Sequence, residues 1–333
     1  MRLFITLDYE LFLGVETGSP ENCLIRPMEA LEGVANKHGF KYIVFVDAAY
    51  LLRLWQLRTS YPQLNKDFEL VSNHVKYLAL QGHDIQLHFH PQWLYSEYND
   101  IYNKWQLKSI PYKLSDMKEE DAFLLFHEAK KLLDEIIGYK TSAFRAGGYC
   151  LASFSGYKKL FKQEDIRIDS SVARYGYVET AVHAYDYRDI PSKIIYNFDS
   201  DVCKEQVGGK FTELSITSTR WSGLEYMLKV RTKMASYNPK MVYGDGKSVS
   251  DGRKRMNIFS KILKFVRPYK NLASIDGIRS CQLEKVLEKE KGLKREALVL
   301  IGHPKLTSDV SIANLDSFIG NHVDLNICTT SIL

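Results

Sequence analysis

Short apolar runs alternate with amphipathic segments along the first half of this chain, and that alternation constrains its fold more than any other feature. LFITL over 3–7 and YIVFV over 42–46 are continuous β-branched and aromatic runs, and DIQLHFH over 84–90 is strand-like until Pro91 stops it. Strands apolar on both faces belong in a sheet that is covered on both sides. Between them lie helical patterns. The first, over 27–38, repeats Met28, Leu31, Val34 and Ala35 at helical spacing, with Gly39 as a C-cap. A second spans 67–81, closed by Gln81 and Gly82, and a third, 116–137, has acids at its start and Lys130 and Lys131 further on. Further strands are expected at 141–144, 166–169 and 297–301, with a helix over 153–163. Strand–helix alternation of this kind builds βαβ units and a mainly parallel α/β domain.

Residues 185–250 are less regular. They mix short strands such as 211–216 with a helix expected over 223–235 and a polar loop over 244–252, which is expected to be mobile. A chain of 333 residues suits two average domains, but α/β barrels of this size form one. The expectation is one domain, 1–333, with an irregular insertion at about 185–270.

Composition excludes several classes. With 45 Lys+Arg against 40 Asp+Glu the net charge is +5, too dilute for a nucleic-acid surface. The five cysteines are scattered with no CxxC pair, which argues against a cysteine zinc site or a disulfide framework and fits a reducing compartment. The N-terminus, Met1 and Arg2 before five residues and then Asp8 and Glu10, is too short and acidic for a secretory leader. No apolar run approaches the ~18 residues of a membrane span. The expected location is cytoplasmic.

Four of the expected strands end on residues that acid–base or metal chemistry uses. Positions i and i+2 of an extended chain share a face, so Asp8 and Glu10 can converge, one as a metal ligand and the other as a base. The same spacing lets His88 and His90 grip one cation, and two histidines with one carboxylate form a zinc set that leaves a position open; iron and cobalt would also fit. His83, just upstream, reads as a surface turn residue. Arg145, before Ala146, Gly147 and Gly148, can orient a carboxylate through its planar fork. His303 follows an apolar strand and can act as a general acid. Parallel sheets bind ligands at the carboxyl ends of their strands, where all four groups fall. Trp93, Tyr149 and Tyr175 are candidates for stacking on a ring of the ligand.

The segments ITLDYE, GHDIQLHFHPQW, FRAGGY, RIDSSV and LIGHPK occur in the order of the motifs of the polysaccharide deacetylases, and the chain resembles that family over about 3–305. The LHxHPxW pattern is similar to a subgroup associated with surface-polysaccharide gene clusters. The resemblance implies a distorted (β/α) barrel and a divalent metal, Zn2+ foremost, used to remove acetyl groups from sugars. It implies Asp8 as base, His88 as metal ligand, Arg145 as the residue that orients the base and His303 as acid. Tyr9 stands where the family's usual first motif has its metal-binding Asp, so Glu10 takes that role as in relatives with D-x-E. Gln92 stands where the second histidine is usual, so His90 replaces it. Asp169 falls where the fourth motif begins, without the usual aromatic. Tyr9 and Gln92 also favour an alternative, a catalytically altered barrel that binds or scaffolds in polysaccharide assembly. A third reading is hydrolysis of a non-sugar C–N amide bond.

The run 253–270 carries seven basic residues and no acid, with Met256, Phe259, Ile262, Leu263 and Val266 at helical spacing. Such a helix could lie on an anionic membrane or dock on the barrel with a solvated basic face. The partner expected in either case is an acetylated saccharide.

Overall fold

A computed structural model describes residues 1–151, 154–222, 242–247 and 269–333. Its centre is a parallel-dominated sheet curled into a nearly closed barrel. The barrel strands are β1 (Arg2–Tyr9), β2 (Ile43–Asp47), β3 (Asp84–Phe89), β4 (Ala143–Ala146), β5 (Ile168–Asp169), β6 (Ile195–Phe198), β7 (Phe211–Leu214), β8 (Ala297–Gly302) and β9 (Asn326–Ile327). They run in the order β6-β7-β5-β4-β3-β2-β1-β8, and β9 pairs with the first residues of β1. Every pairing is parallel except β6 with β7. The seam between β7 and β8 is bridged rather than paired. Thr217 donates its backbone N–H to Val299 O (3.2 Å), Val299 N–H returns to Thr217 Oγ1 (3.0 Å), and Ser274 bridges to Ile301.

Continuous apolar strands produce two cores. Phe4, Ile43, Phe45, Ile168, Leu214 and Val299 point inward and fill the barrel. Leu3, Ile5, Leu7, Val44, Val46 and Leu87 point outward, against the helices. Those helices are α1 (Arg26–His38), α2 (Ala48–Leu57), α3 (Pro62–Leu80), α4 (Glu119–Ile137), α5 (Ser155–Gln163), α6 (Leu283–Gly292) and α7 (Asp309–Asn321). Their ends follow sequence chemistry. Helix α1 stops at Gly39 in the left-handed region (φ 69°), and α4 starts on Glu119, Glu120 and Asp121. Helix α3 begins five residues before the expected start because Pro62 sits at its first turn, where the missing N–H costs nothing.

Within the stretch 185–270, β7 falls on the strand expected over 211–216, and both β6 and β7 join the barrel sheet. Two expectations need correction. The polar loop expected to be mobile is pinned over Gly244–Lys247. Asp245 accepts from Ser19 N (2.8 Å), Ser19 Oγ (2.7 Å) and Asn22 Nδ2 (2.9 Å), and Lys247 pairs with Glu16 (2.6 Å). His83 is buried, with Nδ1 accepting from Tyr42 N–H (3.1 Å) and Nε2 3.6 Å from Glu32. All five cysteines are free thiols.

The helix expected over 223–235 lies outside the described residues, as do 248–252 and nearly all of the basic run 253–270. The last two residues of that run are strand, not helix. Tyr269–Leu272 pairs antiparallel with Ser218–Trp221. No helix among the described residues is long and apolar enough to cross a membrane.

Candidate metal and catalytic site

The inward parity of β1 carries from Phe4 through Thr6 and Asp8 to Glu10, so the same alternation that fills the barrel floor delivers two carboxylates to its mouth. On β2 the inward row Ile43, Phe45 ends at Asp47. On β3 it runs from Gln86 through His88 to His90, one residue past the strand. These rows meet at the carboxyl ends of the strands. All five side chains are almost wholly buried.

Glu10, His88 and His90 each bring one ligand atom to within 4.8 Å of the others. Glu10 Oε2 lies 3.3 Å from His88 Nε2 and 3.1 Å from His90 Nδ1. The two imidazoles meet edge to face with centroids 4.5 Å apart. His88 Nδ1 donates to Arg145 O (2.7 Å), so this ring's proton is spent on a carbonyl and Nε2 is the atom turned to Glu10. His90 is held twice by Asp47, through its backbone N–H (3.2 Å) and through Nδ1 (3.1 Å). Gly147 makes room for it. A Cβ there would come within 2.4 Å of His90 Cδ2 and 2.7 Å of Phe89 O, which gives the glycine of FRAGGY a physical reason.

Asp8 sits beside this cluster, held by a fully buried arginine. Arg145 donates to Asp8 Oδ1 (2.5 Å), Thr6 Oγ1 (3.0 Å), Ser170 O (2.9 Å) and Ser170 Oγ (2.8 Å), and its guanidinium lies 4.1 Å over the Phe45 ring. Across the mouth, His303 follows β8. Its backbone N–H and Nδ1 both engage Asp276 (2.6 and 2.8 Å), and its Nε2 faces Asp8 Oδ2 (3.6 Å) and Glu10 Oε1 (3.7 Å). Lys305 completes the set, donating to Glu10 Oε1 (2.9 Å) and Leu11 O (2.7 Å).

The charges shift together. Burial pushes the Asp8 carboxyl up, but Arg145, His88 and His303 outweigh it and hold Asp8 below its ordinary value. For Glu10 burial is again opposed, by Lys305, His90 and His88, and the net is well below the usual range. Burial would lower His88, yet Asp8, Glu10 and Asp47 push it up to about 9. Burial likewise opposes His303, and Asp276 first, then Asp8 and Glu10, raise it. Carboxylates ionised beside imidazoles ready to be protonated form a site made for proton traffic or for a cation.

Replacing Arg145 with methionine would leave Asp8 buried without its counter-charge. The expected loss is about 3–5 kcal/mol of unfolding stability, read from urea denaturation; a loss below about 1 kcal/mol would mean that the pair is not holding the barrel mouth.

The structure thus brings Asp8, Glu10, His88, His90, Arg145 and His303 to one mouth. Tyr149 joins them at the rim. It is half-buried in a left-handed conformation (φ 62°), and burial and then the charge of Asp8 raise its phenol well above the ordinary value. Trp93 does not have a face to offer a sugar. It is fully buried, packed against Tyr50 (4.7 Å) and Trp105 (5.4 Å); the turn Pro91–Tyr95 that follows His90 folds it into the core. Tyr175 carries the Arg220 guanidinium 3.9 Å over its ring, and no contact among the described residues joins it to the cluster. Tyr9 points outward and bonds His74 Nδ1 through its hydroxyl (2.8 Å). Gln92 is buried with Oε1 unpaired among the described residues. Asp169 lies outside the barrel lumen, bonded to Ser171 N (2.9 Å) and Oγ (2.7 Å).

Sequence reading missed Asp47, Asp276 and Lys305. Asp47 carried a signal, an acid ending a buried run as Asp8 does. Asp276 carried none, because its partner His303 is 27 positions away and only the barrel seam brings them together.

The chain matches no family model and no curated protein sequence. Among solved structures it is similar to a 4-alpha-glucanotransferase from Thermococcus litoralis, at 11% identity over 100% of this chain and 40% of that one, with a TM-score of 0.50. A branching enzyme from Thermococcus kodakaraensis aligns at 10% identity over 99% of this chain and 70% of its own, TM-score 0.49. A polysaccharide deacetylase from Bacillus cereus aligns at 11% identity over 99% and 93%, TM-score 0.37. Likeness at this level speaks to the fold alone.

Proposed function

We propose that this chain is a metal-dependent hydrolase that removes an acetyl group from an N-acetylated sugar or a surface-polysaccharide precursor. The observation that carries this reading is the convergence of Glu10, His88 and His90, buried and within 4.8 Å of one another, beside a second acid locked by arginine. The donor set fits a divalent cation. One carboxylate and two imidazoles offer three protein ligands and leave a position open, the pattern of catalytic zinc, and the carbonyl bond on His88 Nδ1 leaves Nε2 as the ligating atom. Held there, Zn2+ would supply Lewis acidity and lower the pKa of a water from about 15.7 toward about 7.

The chain's own residues supply the remaining roles. Asp8, ionised and fixed through Oδ1 by Arg145, keeps Oδ2 free to take a proton from the attacking water. His303, protonated, gives its Nε2 proton to the sugar nitrogen as the C–N bond breaks, leaving acetate and a free amine. Asp276 anchors Nδ1 and so aims Nε2 at the reacting groups. Tyr149 is positioned to wall the sugar.

His303 must hold its proton to act as acid, and Asp276 is the strongest of the neighbours that raise its pKa. Asp276→Asn should therefore move the alkaline limb of the kcat/KM profile to lower pH. An unmoved limb would take the acid role from His303.

A second reading is a barrel kept for binding with its chemistry lost. Lys305 favours it, since the ammonium already neutralises Glu10 at 2.9 Å. Chelation separates the two. The hydrolase should release acetate from N-acetylated saccharides, lose at least about 100-fold of that rate on chelation and regain it with zinc. A rate indifferent to chelation, or no acetate from any N-acetylated saccharide by zinc-loaded protein, would reject it.

A further inference from the structure

A pocket of about 330 Å³ lies beside Tyr175, lined by Arg174, Lys270, Asn271 and Arg279 together with Tyr177 and Tyr185. Among the described residues, three cations and no carboxylate line it. Arg220 adds a fourth, its guanidinium 3.9 Å over the Tyr175 ring, while Lys270 Nζ donates to Tyr175 O (3.2 Å). Arg174 spends its guanidinium on Pro191 O, Lys193 O and Ser215 Oγ. Among the described residues, Lys270, Arg220 and Arg279 have no carboxylate partner. The acid that Lys270 does feel, Asp186, is already forked by Arg188 through Nε (2.9 Å) and a terminal nitrogen (2.6 Å). Gathering like charges without counter-charges is unfavourable, and Tyr175 at the pocket's edge sits in the left-handed region (φ 60°).

The pocket adjoins the catalytic mouth on two sides. Its wall residue Tyr185 meets Tyr149 edge to face at 6.0 Å, and Arg279 follows Asp276, the acid on His303, by three residues in the turn Gly277–Gln282. We propose that this pocket binds the phosphoryl or diphosphoryl group of the substrate, so that the saccharide acted on is a phosphate-activated one. Arginine forks and an ammonium match a group with several oxygens and close to two negative charges. The link to a substrate rests on the hydrolase reading; the anion site itself does not. A diphosphate reaches saccharides from two sources, a nucleotide or a lipid carrier, and the pocket chemistry is common to both.

The test is calorimetric titration of the intact, metal-stripped protein with inorganic pyrophosphate. The expected Kd is below about 1 mM and weakens with added salt. In Lys270→Gln/Arg279→Gln, where both side chains are exposed, the affinity should fall at least about tenfold with melting temperature and zinc uptake unchanged. Uridine diphosphate and detergent-dispersed farnesyl diphosphate form the source arms. Tighter binding of the first assigns a nucleotide carrier, tighter binding of the second a lipid one. A Kd weaker than about 10 mM, equal binding by the double variant, or glucuronate binding as tightly as pyrophosphate would overturn the site. Zinc uptake on the same samples keeps the two claims apart. Pyrophosphate bound without zinc uptake rejects only the hydrolase, and zinc uptake without pyrophosphate rejects only the pocket.

Discussion

Purified His88→Ala protein is expected to hold fewer than ~0.1 zinc per chain after zinc addition and dialysis, against about one in the parent, with acetate release lost along with the metal. The reason is geometric. His88 Nε2 and Glu10 Oε2 are 3.3 Å apart, and His90 Nδ1 reaches the same oxygen at 3.1 Å. Removing one imidazole leaves two ligands, of which Glu10 is already shared with Lys305. Folding should survive, because alanine on the inward face of β3 leaves the outward Leu87 and Phe89 packing untouched. Circular dichroism checks the fold and elemental analysis the metal. A folded variant with full zinc would remove His88 from the ligand set.

Asp8→Asn should behave in the opposite way, keeping zinc and losing rate. Asp8 lies beside the donor triad but outside it. The amide keeps an oxygen for Arg145 to donate to, yet has no basicity, so kcat should drop by about 10²–10⁴. Zinc content within about 20% of the parent distinguishes loss of the base from loss of the metal. Activity within about threefold of the parent would mean that another group takes the water's proton. Together the two variants separate holding the cation from moving the proton.

What could be read beforehand follows from the range over which each signal acts. Parity is local. Two residues along a strand return to the same face, so Asp8 with Glu10 and His88 with His90 were legible as converging pairs before any fold was known. The parallel α/β sheet was legible because β1 and β2 are apolar on both faces and alternate with helices such as α4, whose acidic start and glycine end are written in a few residues; its closure into a barrel was implied only by the motif resemblance. The partners of those pairs were not. Asp47, Asp276 and Lys305 act across strand order. His303 gets its partner only because Ile275 N–H bonds Ile301 O across the seam, and the sequence around Asp276 carries no period. Trp93 misled for a related reason. It was a candidate for stacking on a sugar, but the turn after His90 drives it against Tyr50. The short β6 escaped notice, and β7 was expected as a strand but not as part of the main sheet, because four residues of alternation do not say which sheet a strand joins.

The central claim is that one cation is held between Glu10, His88 and His90, and anomalous diffraction at the zinc edge from crystals grown with zinc tests it most directly. The account predicts one strong peak about 2.0–2.2 Å from Glu10 Oε2, His88 Nε2 and a ring nitrogen of His90, with Asp8 close by but uncoordinated. A peak held instead by Asp8 and His303, or no peak while Lys305 still sits on Glu10, would contradict it.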